Sequence, residues 1–126
     1  MREWRMIQNE KDFIDWIDGQ LNEELPDHII AFNINIYESP FNIEVVGSSE
    51  FDPDDEDWAC NEDWVPENRT IPVCNVIFGN SYEEAQDNIL VMAKQYFQSS
   101  SKNTYKLKAA KAFAVGFVDG NLNYVQ

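Results

Sequence analysis

The densest chemistry in the chain lies between Glu50 and Glu67, where 18 residues carry nine carboxylates and no base. Carboxylates packed this closely suit three tasks: holding a hard cation, sharing a proton in hydrolysis, or meeting the lysines and arginines of a partner. Asp52, Asp54 and Glu56 have the 1-3-5 spacing of a calcium loop, and Asp63 falls at position 12. The glycine needed at position 6 is Asp57, however, and position 12 calls for the longer bidentate reach of Glu. No tight calcium site is expected. A glycosidase-type pair of acids finds too many candidates for any one pair to be specific.

The third task fits the residue types best. Asp52, Asp54, Asp55, Glu56, Asp57, Glu62 and Asp63 supply long-range steering and charge-assisted bonds to basic side chains. Trp58 and Trp64 supply the large rigid apolar area that binding hot spots favour. These nine residues are the expected partner-binding site. A plainer alternative stays open, in which the loop is solvated and its tryptophans only pin it to the sheet.

Other catalytic groups are scarce. His28 is the sole histidine, so any Ser-His-Asp or Cys-His arrangement rests on one residue at the mouth of a strand. With Cys60 and Cys74 it makes at most three zinc ligands at unhelpful spacing, and Cys74 reads as core. The five glycines are scattered, without a phosphate-binding loop. The expectation is a protein that is not an enzyme, with no catalytic residue, metal or cofactor. Direct nucleic-acid binding is also disfavoured. Lys102, Lys106, Lys108 and Lys111 with Tyr105 form a small basic stripe, but residues 1–93 carry a net charge of −18 against +4 for residues 94–126. Such a field repels phosphate and anionic membranes and speeds encounter with basic proteins. The stripe reads instead as a local partner for the acidic segment, within the domain or across a dimer.

The frame that must hold these groups is a single domain, 1–126, long enough to bury a core unaided. Its 13% aromatic content sets it apart from a disordered acidic tail. The N-terminus lacks the apolar run of a signal peptide, and no stretch is long enough to span a membrane. With two cysteines in a chain lacking a secretion signal, free thiols and a cytoplasmic location are expected.

Residues 12–25 form an amphipathic helix by the spacing of Phe13, Trp16, Ile17, Leu21 and Leu25, capped by Asn9 or Asp12 and ended by Pro26. Residues 28–37 alternate as a half-buried strand, and a turn at Ser39–Asn42 leads to a second strand over 43–47. A third, central strand is expected at 70–78, with Cys74, Val76 and Phe78 on one face. Ser81-Tyr82-Glu83-Glu84 is a capping box opening a second long helix. Lys102–Lys111 reads as a short basic helix. Phe113–Val118 is a strand, Asp119-Gly120-Asn121 a hairpin signal, and 122–125 a short edge strand. Adjacent strands rather than strict alternation predict an α+β fold: a mostly antiparallel sheet of four to five strands with two helices packed on one face. Trp16, Phe32, Ile34, Cys74, Ile89 and Phe97 are expected to share its core.

Two segments, Phe51-Asp52-Pro53-Asp54-Asp55-Glu56-Asp57-Trp58-Ala59-Cys60-Asn61-Glu62 and Ala114-Val115-Gly116-Phe117-Val118-Asp119-Gly120-Asn121-Leu122, cover about a sixth of the chain. With them, this small acidic α+β chain resembles the immunity proteins of bacterial polymorphic and contact-dependent toxin systems. The resemblance implies a cytoplasmic antitoxin that neutralises a cognate toxin, commonly a basic nuclease, by stoichiometric binding. Two other functions compete: a nucleic-acid-mimicking regulator of a DNA- or RNA-binding protein, and a carboxylate-based hydrolase. Whether the chain self-associates is left open.

Overall fold

The computed structural model describes residues 6–38, 40–118 and 120–125. Its elements run α1 (Glu10–Gln20), β1 (Ala31–Glu38), β2 (Phe41–Ser48), a 3-10 helix (Glu56–Cys60), β3 (Thr70–Pro72), α2 (Asn75–Phe78), α3 (Tyr82–Gln98), α4 (Thr104–Ala109), β4 (Ala112–Phe117) and β5 (Asn123–Tyr124). The strands form one sheet in the order β3-β2-β1-β4-β5. The fold is α+β. Three of the four strand pairings are antiparallel, and β1 with β4, at the centre, is parallel. A parallel neighbour needs a crossover, which α3 and α4 supply.

Alternation along β1 decides which face is which. Phe32, Ile34 and Ile36 register with Ile43 and Val45 of β2 and with Phe113 and Val115 of β4, making one continuous apolar face. Both long helices lie on it: Phe13, Trp16 and Ile17 of α1 and Ile89, Met92 and Tyr96 of α3 join the same buried cluster. Tyr96 is fully buried, and its hydroxyl donates to Asp18 at 2.7 Å, tying α3 to α1. Burial and that bond push the Tyr96 phenol far up, so it stays a neutral donor. Replacing Phe32 or Ile89 by alanine should cost about 2–5 kcal/mol in urea unfolding, as large-to-small core changes do; a loss below about 1 kcal/mol would remove either from the core.

Local signals set the helix starts. The Asn9 side chain accepts from the Asp12 amide at 2.9 Å, and Ser81 accepts from the Glu84 amide at 3.1 Å. Glu84 reaches back to the Asn80 amide, one residue before the cap, instead of to the cap itself. The end of α1 differs from expectation. The helix stops at Gln20, not at Leu25, and the Lys106 ammonium donates to the carbonyls of Leu21 and Glu23 beyond it. A cation there satisfies orphan carbonyls and the negative end of the helix dipole.

The stretch 70–78 also departs from its expected form. Only Thr70–Pro72 is strand, at the sheet edge, and residues 75–78 turn into a helical segment. Short apolar runs fit period 2 and period 3.6 alike. Here the Ile77 amide bonds the Cys74 carbonyl at 3.0 Å, which begins a turn. Cys74 is therefore the half-buried residue before a helix and not a core residue, while Val76 is 86% exposed. Trp16, Phe32, Ile34 and Ile89 are buried as expected, and Phe97 packs against that core partly exposed. Of the two turns, Ser39 and Asp119 lie outside the described residues; the hairpins they belong to are present as β1–β2 and β4–β5. No helix among the described residues is long and apolar enough to cross a membrane.

Candidate functional site

The second sheet face is where the acidic segment sits, and small residues make room for it. Ala31 of β1 registers with Ala112 of β4, and Ala114 follows on the same face. These alanines form a shallow seat for Trp58, which is 3% exposed. Phe51 meets the indole edge to face at 5.4 Å, and the indole N–H donates to the Tyr124 hydroxyl at 3.3 Å.

Trp64 goes to the opposite face. Its backbone pairs with Gly47 in both directions, at 2.9 and 3.1 Å, extending the sheet past the end of β3. Its ring meets Phe32 edge to face at 6.1 Å and is 7% exposed. A Cβ on Gly47 would stand 3.3 Å from the Trp64 Cβ and 2.7 Å from the Ile29 methyl, so only glycine permits this approach. The segment thus straddles the sheet edge with one tryptophan fixed on each side. In this conformation neither indole offers a partner the broad apolar area expected of a hot spot, because both are already buried within the chain.

The acids are placed differently. All nine carboxylates from Glu50 to Glu67 are exposed. Short local bonds shape the path that carries them. Asp52 accepts from the Asp54 amide at 2.9 Å around Pro53, and Asp55 accepts from the Asp57 amide at 3.0 Å to start the 3-10 helix. Asp and Pro favour such turns for these reasons. Asp63 accepts from the Ser49 amide and hydroxyl, both at 2.7 Å, and these donors hold its carboxyl below the usual range. Glu62 pairs with Arg69, and Glu56 accepts from the Leu122 amide at 3.3 Å. Asp54 and Asp57 have no side-chain partner among the described residues.

Four acids converge. Glu50, Asp52, Asp55 and Asp57 line a cleft of about 520 Å³ with Phe51 and Trp58. An ammonium or guanidinium entering it meets carboxylates around an aromatic floor, which favours charge-assisted bonds and cation–π attraction. Of the nine expected site residues, the structure brings Asp52, Asp55, Asp57 and Trp58 to this cleft. Asp54 lies exposed beside it, Glu56, Glu62 and Asp63 are engaged by the fold, and Trp64 is on the other face. Glu50, Phe51 and Asn61 line the cleft without having been singled out in the sequence. The run of acids begins at Glu50, and Phe51 is the aromatic next to it.

A separate polar network also went unanticipated. Glu44 is fully buried on the same sheet face. Its carboxylate accepts from Arg69 at 2.5 Å, Tyr37 at 2.5 Å and Asn35 at 2.9 Å. Desolvation alone raises a buried carboxyl, but here the donors from Arg69, Tyr37 and Asn35 outweigh it and hold Glu44 below its ordinary value. Burial, then the bond to Glu44, pushes the Tyr37 phenol up to about 12. Glu44 is a locked anion, poorly matched to the raised pKa a general acid needs. Alternate polar residues at 33, 35 and 37, with Glu44 opposite Asn35 in register, are the signal from which the network was readable.

His28 is exposed just before β1, and Cys60 and Cys74 are free. Among the described residues no group of three or more His, Cys, Asp or Glu is arranged to hold a metal ion. The lysine stripe does not pair with the acidic segment among the described residues: Lys106 serves α1, and Lys108 lies 5.8 Å from the Phe97 ring. Comparison with protein-family models, with curated proteins and with solved structures finds no match to the chain.

Proposed function

We propose that this chain is an acidic inhibitor that binds a basic protein stoichiometrically, as an immunity protein acting in the cytoplasm against a cognate nuclease toxin. One observation supports the reading above others: nine exposed carboxylates ride on a segment whose two tryptophans are anchored on opposite faces of the sheet. An anchored array of like charges is unfavourable for folding on its own, and opposite charge on a partner relieves it. Four of the acids surround a cleft that fits a lysine or arginine side chain. In this reading the carboxylates govern encounter, and the tryptophans hold the surface in shape rather than touch the partner.

The test begins with capture of a bound protein on the intact chain and its identification. Association is then followed for Asp54→Asn combined with Asp55→Asn. At low salt the rate should fall roughly 3–10-fold, and its salt dependence should flatten. Melting temperature should stay the same or rise, since like-charge repulsion is reduced. Unchanged association rates and salt dependence would move the interface away from this segment.

A further inference from the structure

A second cleft lies at the other end of β1. The acidic cleft begins at Ile30, whereas this one is walled by Ile36, Tyr37 and Glu38, so about 20 Å of extended chain separates them. Its volume is about 640 Å³, within the range of small-molecule sites. The opposing wall is the first two turns of α3, with Tyr82, Glu83 and Gln86, and Phe117 ends β4 alongside. It therefore opens at the carboxyl ends of two adjacent parallel strands, the edge where open sheets place ligands. The β4–β5 hairpin closes one side. Gly116 lets it lie close, since a Cβ there would stand 2.8 Å from the Asn121 carbonyl oxygen.

The chemistry of the lining is one-sided. Among the described residues lining it there are two carboxylates, Glu38 and Glu83, and no base. Phe117 and Tyr82 meet edge to face at 5.4 Å, and Tyr82 is 55% exposed. The neighbouring Glu38 carboxylate raises the pKa of the Tyr82 hydroxyl, so the ring presents a neutral phenol. The start of α3 would ordinarily favour an anion. Here Ser81 already bonds the Glu84 amide and Glu84 the Asn80 amide just before the cap, and Glu83 and Glu84 place their own charge in the first turn. What is left favours positive charge beside aromatic surface.

We propose that this cleft binds a small organic cation, an ammonium or guanidinium on an apolar body, with Glu38 and Glu83 meeting the charge and Tyr82 and Phe117 the body. The inference does not rest on the acidic segment or on any protein partner. The intact chain, amide-labelled, is titrated with phenethylammonium, with neutral 3-phenylpropanol and with N-acetylarginine methylamide at physiological salt. Saturable shifts are expected for the phenethylammonium titration at the amides of Tyr82, Gln86 and Asn121, with the neutral analogue at least roughly tenfold weaker. Glu38→Gln and Glu83→Gln alter exposed side chains, and each should weaken binding roughly fivefold or more. Asp52→Asn combined with Asp57→Asn, at the other cleft, should leave it unchanged. Tighter binding of phenethylammonium than of the arginine derivative supports a free amine as ligand; the reverse order supports a basic side chain, and both support cation recognition. Equal affinity for the neutral analogue, shifts that never saturate, or shifts centred on residues 50–57 would overturn the proposal.

Discussion

Replacing Arg69 by methionine is expected to lower the unfolding free energy at pH 7 by about 3 kcal/mol, the low end for breaking a buried ion pair. The Glu44 carboxylate is fully buried, and Arg69 is the only cation that pairs with it among the described residues. The low end applies because the arginine side chain is 41% exposed and water screens its share. Removing the guanidinium leaves Tyr37 and Asn35 as donors to a carboxylate that still carries full charge. The pH dependence has a definite sign. A carboxyl held below its unfolded pKa adds stability that is present above that value and lost as pH falls through the folded one. The parent chain should therefore lose this contribution on acidification below about pH 4. The variant's deficit should shrink as pH falls, because Glu44 without Arg69 takes up a proton more readily. The double change Arg69→Met with Glu44→Leu should recover most of the loss, since apolar replacements of buried pairs are often neutral. Urea unfolding of the three chains from about pH 3 to 7 reads all of this. A deficit below about 1 kcal/mol at pH 7, or one that grows on acidification, would mean that Arg69 does not sustain Glu44.

Features written within a few residues were legible in the sequence. The Ser81 cap, the Asn9 cap, the alternation of 31–37 and the α1 stripe through Phe13, Trp16 and Ile17 each depend on neighbours in the chain and appear as expected, although Glu84 bonds Asn80 instead of closing the capping box. Features that depend on distant residues were not. Lys106 bonds carbonyls beyond α1 that lie more than 80 positions away, so no helix pattern near Leu25 could report it. The parallel pairing of β1 with β4 leaves no local trace, since parallel strands need a long crossover instead of a turn. Residues 73–78 failed for a different reason: a short apolar run fits both periods, and tertiary contacts decide between them. The acidic segment was legible as charge but not as geometry. Nothing within 50–67 says that Trp58 is matched by Ala31, Ala112 and Ala114, or Trp64 by Gly47. A paired reading of Gly47 and the alanines as places where something large must approach is the signal that was available.

The two tryptophans should respond differently to truncation, and the difference follows from which cluster each belongs to. Trp64 is part of the main core with Phe32. Trp64→Ala should cost about 3–5 kcal/mol of global stability, as buried aromatic truncations do. Trp58 sits in a separate small cluster on the other face, with Ala31, Ala59, Ala112 and Ala114. Its loss can be absorbed by opening of the segment alone, so the global cost saturates at the free energy that docks the segment. We expect less than about 2 kcal/mol globally, with faster exchange at the Asn61 amide, which bonds the Trp58 carbonyl, and across the 3-10 helix. The amides of β1 and α3 should keep their protection in Trp58→Ala and lose it in Trp64→Ala. Because the two side chains lie on opposite faces and share no partner, the double variant should show nearly the sum of the two losses. Hydrogen exchange beside urea unfolding separates the cases. Equal global losses with uniform loss of protection would show that the segment and the core unfold as one unit. If the segment does open alone in Trp58→Ala, its carboxylates remain but no longer converge on a cleft. Encounter with a basic partner should then stay fast while dissociation quickens, because steering needs only charge and a held complex needs the anchored surface.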